Sequence, residues 1–241
     1  MAIYISKTRI DLEDVGYSNK ITNKAILKIL ENAGARQSET IHFGLNDMEN
    51  VGFSWILLGW KVKILKRPIY NEELTINTWG RESNRIFTYR DYEIYDESGE
   101  LCTIATSKWA IVDINTGKLR ELTPEIIEKY QCETKKVFKE DYTLKLKEPV
   151  TIIRRQEYKA QRRDIDINKH IHNLYYLDYA YETLPEEVYE APECNNIEIM
   201  YKKQIRLNDE FKCLYTKEEN QNIVTMKSED ENTLHAIIKL Y

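Results

Sequence analysis

Several things are scarce in this chain of 241 residues. Four cysteines, at 102, 132, 194 and 213, form no CxxC pair and no short metal-ligand spacing, which argues against a disulfide framework or a zinc module. They read as reduced thiols in or near a core. Eight glycines and five prolines are too few for a collagen-like or linker-like chain. A basic surplus is also missing: 35 Lys and Arg against 40 Asp and Glu give a net charge of -5, which excludes a general nucleic-acid binder. The most apolar run, residues 51–60, falls far short of the roughly 20 residues of a membrane span. The opening MAIYISKTRI has neither the long apolar stretch nor the small-residue cleavage site of a signal peptide. A soluble, cytoplasmic protein is expected.

What is present is core-forming material. Hydrophobic residues make up 42% of the chain, and seventeen Tyr, five Phe and four Trp argue against disorder. Residues 3–10 predict a strand. From Asn23, the apolar residues Ala25, Ile26, Leu27, Ile29, Leu30 and Ala33 recur at helical spacing, with Asn23 expected as cap and Gly34 near the end. Strands are expected over 55–65, 73–79, 85–95 and 101–112, punctuated by turns at Glu97-Ser98-Gly99 and Asn115-Thr116-Gly117. A short helix follows over 123–130, capped by Thr123 with Pro124 at its first position. The pattern then restarts: a strand at 150–160, a helix at 173–184, and strands at 195–206, 209–217, 221–228 and 233–240. One helix followed by several strands, with no crossover helices between them, is an α+β pattern of antiparallel sheets.

The two halves overlay. Asp14, Ile21, Asn23 and Leu27 coincide with Asp164, Ile171, Asn173 and Leu177 at an offset of 150. The run 69–74 resembles 206–211 at an offset of 137. The 13-residue difference implies extra chain between the helix and the next strands of the first half. We therefore expect a first domain over 1–130, a charged linker over 131–149 and a second domain over 150–241.

The densest polar cluster is residues 162–173, where the strand pattern gives way to the helix. Asp166, Asn168 and His170 alternate with Ile167 and Lys169, and in an extended segment they would face one side. The free N–H groups of a helix start lie close behind. A carboxylate, an amide, an imidazole and backbone donors are the parts of a hydrolytic site. Helix capping alone could also use Asp and Asn. The first half has Gly16, Ser18 and Lys20 at these places, so one copy looks equipped and the other blank. His170 and His172 with a nearby Asp lack the further ligands of a zinc site, so no metal is expected. Neither a GxGxxG, a phosphate loop nor a GxSxG elbow occurs, and no cofactor is expected.

These residues resemble the acyl-acyl carrier protein thioesterases of plants and bacteria. The family's Asp-x-Asn-x-His motif, followed by a hydrophobic residue, usually Asn-Asn and a tyrosine-bearing helix, is matched by Asp166, Asn168, His170, Ile171, His172, Asn173 and Tyr176. Residues 89–96, 99–100 and 105–109, the Thr78-Trp79 pair and 115–119 resemble the first-domain signature. The resemblance implies two fused hotdog domains, each an antiparallel sheet wrapped around a helix, with acyl-chain binding in the first and catalysis in the second. It implies hydrolysis of the thioester on the phosphopantetheine arm of acyl carrier protein, releasing a free fatty acid.

Asp166, Asn168 and His170 are then the catalytic residues, joined by Gln204. His172, Asn173, Trp55 and Leu58 are the expected substrate contacts. Two residues depart from the family pattern. Gln204 stands where a catalytic glutamate is common, with Ile205 in place of the neighbouring cysteine, and His172 replaces the first asparagine of the pair. Glutamine can hold a water or carbonyl but cannot accept a proton. An acyl-CoA thioesterase and a non-catalytic acyl-thioester binder are the alternative functions. With both hotdog units in one chain, a monomer or a homodimer is expected.

Overall fold

The computed structural model describes residues 3–81, 85–140, 144–189 and 194–241. The chain divides into two compact units, Met1–Tyr142 and Thr143–Tyr241.

In the first unit, β1 (Tyr4–Arg9) leads through a turn into α1 (Asn23–Thr40). The short α2 (Met48–Val51) precedes β2 (Phe53–Ile64), β3 (Glu73–Gly80), β4 (Thr88–Tyr95) and β5 (Leu101–Asp113). β6 (Leu119–Arg120) pairs with β5, and α3 (Pro124–Tyr130) follows with Thr123 as cap. The antiparallel order is β1-β3-β4-β5-β2. The predicted helical stripe is the buried face of α1: Ala25, Ile26, Leu27, Ile29, Leu30 and Ala33. Each fully buried Leu or Ile contributes about 1.5–3 kcal/mol by leaving water.

Two details of α1 differ from expectation. Its cap is Thr22, whose side chain accepts the Ala25 N–H at 3.1 Å; Asn23 lies inside the helix and accepts from the Arg67 guanidinium at 2.6 Å. Nor does the helix end near Gly34. It runs on to Thr40: Gly34 serves close packing and not a left-handed turn, since a Cβ there would lie 3.0 Å from the Tyr92 hydroxyl and 3.2 Å from Arg90 Cδ.

The second unit repeats the plan. β7 (Arg154–Lys159) is followed by α4 (Tyr175–Thr183) and α5 (Glu186–Tyr189), then by β8 (Asn196–Tyr201), β9 (Glu210–Glu218), β10 (Gln221–Ser228) and β11 (Leu234–Leu240), and the strands pair antiparallel in the order β7-β9-β10-β11-β8. Element for element this is the order of the first unit. Register is repeated too: Arg9 opposes Glu73, and Lys159 opposes Glu210, at the offsets of 150 and 137.

The 13 extra residues lie within elements. The offset falls from 150 at Asn23/Asn173 to 143 at Thr40/Thr183, where the helices end, and to 137 at Glu73/Glu210. So α1 is extended at its C-terminal end, and β2 is 12 residues long where β8 has 6.

The strand expected over 195–206 stops at Tyr201, because residues 202–206 leave the sheet to meet the turn before α4. Part of the segment expected as a linker is tied to the first unit: the Trp79 indole donates to the Lys135 carbonyl at 3.0 Å and the Val137 N–H to Asp91 at 3.0 Å. Residues 141–143 of that expectation lie outside the described residues.

Candidate active site

The segment holding Asp166, Asn168 and His170 is a tight turn and not an extended strand. Ile165 and Ile171 pair across it. The Asp166 N–H donates to the His170 carbonyl at 2.8 Å, and the Lys169 N–H to the Asp166 carbonyl at 3.0 Å. The Asp166 side chain closes the turn: Oδ1 accepts the Asn168 N–H at 2.8 Å and the His170 N–H at 3.2 Å. Short acidic side chains stabilise turns in this way.

The first unit builds the same turn. Val15 pairs with Ile21, and the Gly16 N–H donates to the Lys20 carbonyl at 3.0 Å. Asn19 (φ 59°) and Lys169 (φ 64°) occupy the same left-handed position. Gly16 has no side chain to accept the extra N–H groups, so the carboxylate belongs to one copy alone.

Asp164 anchors the second turn from below. It is buried, and its carboxylate accepts the Gln161 N–H at 2.8 Å and the Tyr179 hydroxyl at 2.5 Å, while its carbonyl accepts the His172 N–H at 2.8 Å. The identity of Asp14 and Asp164 in the repeat was its only sequence signal.

A second segment runs against the turn. The Ile171 N–H donates to the Ile205 carbonyl at 2.8 Å, and His170 bridges Arg206. Gln204, exposed, is thereby held next to this contact. The buried Tyr176 hydroxyl meets the Ile205 N–H and feels the Asp166 charge; burial raises its pKa, so it stays protonated. His170 is partly buried. Burial lowers its pKa below the usual 6.5, Asp166 and Asp209 oppose that fall, and Arg206 adds to it. Its imidazole is therefore neutral at pH 7, in the form that accepts a proton.

His172 and Asn173 sit at the helix start. His172 Nδ1 accepts the Leu174 N–H at 3.3 Å, its carbonyl accepts the Tyr175 N–H at 2.9 Å, and the Asn173 carbonyl accepts the Tyr201 hydroxyl at 3.1 Å. Two of the helix-start donors expected for an oxyanion are thus used by His172.

Trp55 and Leu58 belong to β2 in the first unit. Trp55 packs edge-on against Tyr130 at 5.6 Å, and its buried indole N–H is turned toward the Tyr130 hydroxyl. Leu58 is the extra residue of a β-bulge between Leu57 and Gly59. Among the described residues, no group of three or more His, Cys, Asp or Glu could hold a metal ion, and no helix is long and apolar enough to cross a membrane.

In each unit an antiparallel run of strands with its own helix repeats one plan, and the pair defines a tandem hotdog protein. The model for the acyl-ACP thioesterase N-terminal domain matches residues 2–130, and that for the C-terminal domain residues 147–239. The chain belongs to the acyl-ACP thioesterase family.

It is 25% identical over 228 residues to the chloroplastic oleoyl-acyl carrier protein thioesterase 2 of Arabidopsis thaliana, covering 88% of this chain and 62% of that protein. It is 23% identical over 240 residues to the oleoyl-acyl carrier protein thioesterase of Coriandrum sativum, covering 93% and 65%. The chain thus spans less than two thirds of the length of these relatives. Its fold matches the crystal structure of an acyl-ACP thioesterase from Bacteroides thetaiotaomicron, with TM-score 0.86 and 22% identity over 99% of this chain and 97% of that one. It also matches the 12:0-ACP thioesterase from Umbellularia californica, with TM-score 0.88 and 17% identity over 100% and 96%.

Proposed function

We propose that the protein is a cytoplasmic thioester hydrolase that releases fatty acid from acyl carrier protein. The observation that carries this reading is the carboxylate–amide–imidazole turn at Asp166, Asn168 and His170, built in the second unit and blank in the matching turn of the first. Family membership supports the substrate class. The first unit binds the acyl chain, with Trp55 and Leu58 among its contacts, and the second unit performs the chemistry.

Asp166 Oδ1 is taken up by the turn, and among the described residues Oδ2 has no hydrogen bond. Oδ2 drives the attack, either by activating water or as the direct nucleophile. Asn168 and the Asn173 N–H, with His172 beside them at the helix start, receive the thioester carbonyl and its developing oxyanion. When Asp166 activates water, neutral His170 relays the water's proton to the departing sulfur. When Asp166 attacks directly, the sulfur leaves as thiolate and His170 passes it the proton of the water that then hydrolyses the acyl-Asp166 anhydride. Either route gives free acid and free thiol with no net change in protons. Gln204 holds the water or the carbonyl. The exposed cations Arg162, Arg163, Lys169, Lys202, Lys203 and Arg206 surround the turn and steer an acidic carrier protein toward it. With both hotdog units in one chain, the enzyme works as a monomer or a homodimer.

Gln204 favours a second reading, an acyl-thioester binder without turnover, because it cannot take the proton that a glutamate would. Thiol release from acyl carrier protein and CoA thioesters of several chain lengths tests both. Faster release from the carrier-protein thioesters supports the proposal; preference for CoA supports an acyl-CoA thioesterase; binding without release supports the second reading.

A further inference from the structure

His235 has no part in the chemistry above, yet it is built into the same corner of the second unit. It is 6% exposed, in β11. Met226 opposes Ala236 but Lys227 opposes Leu234, so His235 is the extra residue of a β-bulge. A bulge re-aims its side chain and disturbs the ladder, a cost that a plain strand avoids.

Here the side chain is aimed at the segment carrying Gln204. The β8–β11 ladder ends at the Tyr201–Ala236 pair. Beyond it, the Lys202 N–H donates to the His235 carbonyl at 2.8 Å, and imidazole Nδ1 lies 2.8 Å from the Lys203 carbonyl. A carbonyl only accepts, so Nδ1 carries the proton. The Gln204 carbonyl and the Asp209 carboxylate also face the ring, and burial nevertheless keeps it neutral at pH 7. One residue further, Ile205 receives the Ile171 N–H. The contacts run from His235 through Lys203 and Gln204 to Ile205 and the turn.

We propose that His235 is a positioning residue: it clamps residues 202–205 from behind and thereby sets Gln204 and the Asp166–His170 turn in register. The proposal rests on the reading of that turn as the active site. A buried imidazole that merely fills space would have no need of a bulge or of a proton on Nδ1.

Nitrogen-15 NMR of the wild-type protein, with kinetics and amide exchange of His235→Leu and His235→Asn, tests it. The Nδ1–H tautomer is expected. His235→Leu is expected to lower kcat about tenfold with KM nearly unchanged, and to speed exchange of the Ile171 amide about tenfold. His235→Asn, whose side-chain N–H can replace Nδ1–H, is expected to recover most of both losses. An Nε2–H tautomer, a folded His235→Leu protein with wild-type kcat and Ile171 exchange, or an Asn variant no better than Leu would overturn the proposal. If the wild-type protein hydrolyses no thioester, the hydrolase reading alone fails; tautomer and exchange still decide the clamp. If His235→Leu does not fold, the tautomer and the Ile171 exchange of His235→Asn against the wild type decide it: near-wild-type exchange supports the clamp, and exchange about tenfold faster overturns it.

Discussion

Asp166 and His170 hold each other by backbone and side chain at once: the Asp166 N–H donates to the His170 carbonyl at 2.8 Å, and Asp166 Oδ1 accepts the His170 N–H at 3.2 Å. The proposed catalytic carboxylate is therefore also the residue that shapes its own turn. The two roles separate by substitution. Asp166→Ala removes the acceptor of two N–H groups and should cost about 1–2 kcal/mol. Asp166→Asn keeps an acceptor oxygen and should melt close to the wild type. Thermal denaturation of the two variants checks this; equal losses would mean that the charge itself supports the turn.

His170 sets a pH dependence. Burial disfavours its charged form, so its pKa lies below the usual 6.5. A mechanism that uses neutral imidazole loses kcat/KM as pH falls through that lowered value and keeps it above. The acid limb of the pH–rate profile should therefore have a midpoint below 6.5. Its disappearance in His170→Gln would assign the limb to this residue. A midpoint above 6.5 would contradict the burial argument.

Gln204 is exposed, so substitution there should leave stability within about 0.5 kcal/mol. Gln204→Glu adds a proton acceptor beside the turn and should raise thioester turnover about tenfold or more. An unchanged rate would show that the amide at this position serves only to hold its ligand.

Gly34→Ala tests the reading of α1. An exposed helical glycine gains about 1 kcal/mol when replaced by alanine. At Gly34 the new methyl meets Tyr92 and Arg90, and the sign should reverse to a loss of about 1–3 kcal/mol. Equilibrium unfolding distinguishes the two.

The elements themselves were legible because each has its own period: α1 shows a 3.6-residue stripe and the strands their β-branched and aromatic runs. The duplication was legible from a handful of identities, since residues such as Asp14/Asp164 and Ile21/Ile171 occupy demanding places in both copies. Boundaries were less so. Gly34 reads as a stop signal only while the packing of Tyr92 and Arg90 against the helix is unknown. The Asp166–His170 alternation suits a strand and a turn equally, and what decides is Ile171 reaching Ile205, more than thirty residues away. His235 left no trace in the sequence, because a bulge is a relation between two strands and not a property of one.

The most direct test of the central claim is thiol release from acyl carrier protein thioesters by the wild-type protein and by Asp166→Asn. The account predicts turnover in the wild type and a loss of at least about a hundredfold in a variant that still melts like it. Undiminished turnover in folded Asp166→Asn, or no release from any acyl thioester by the wild-type protein, would contradict it.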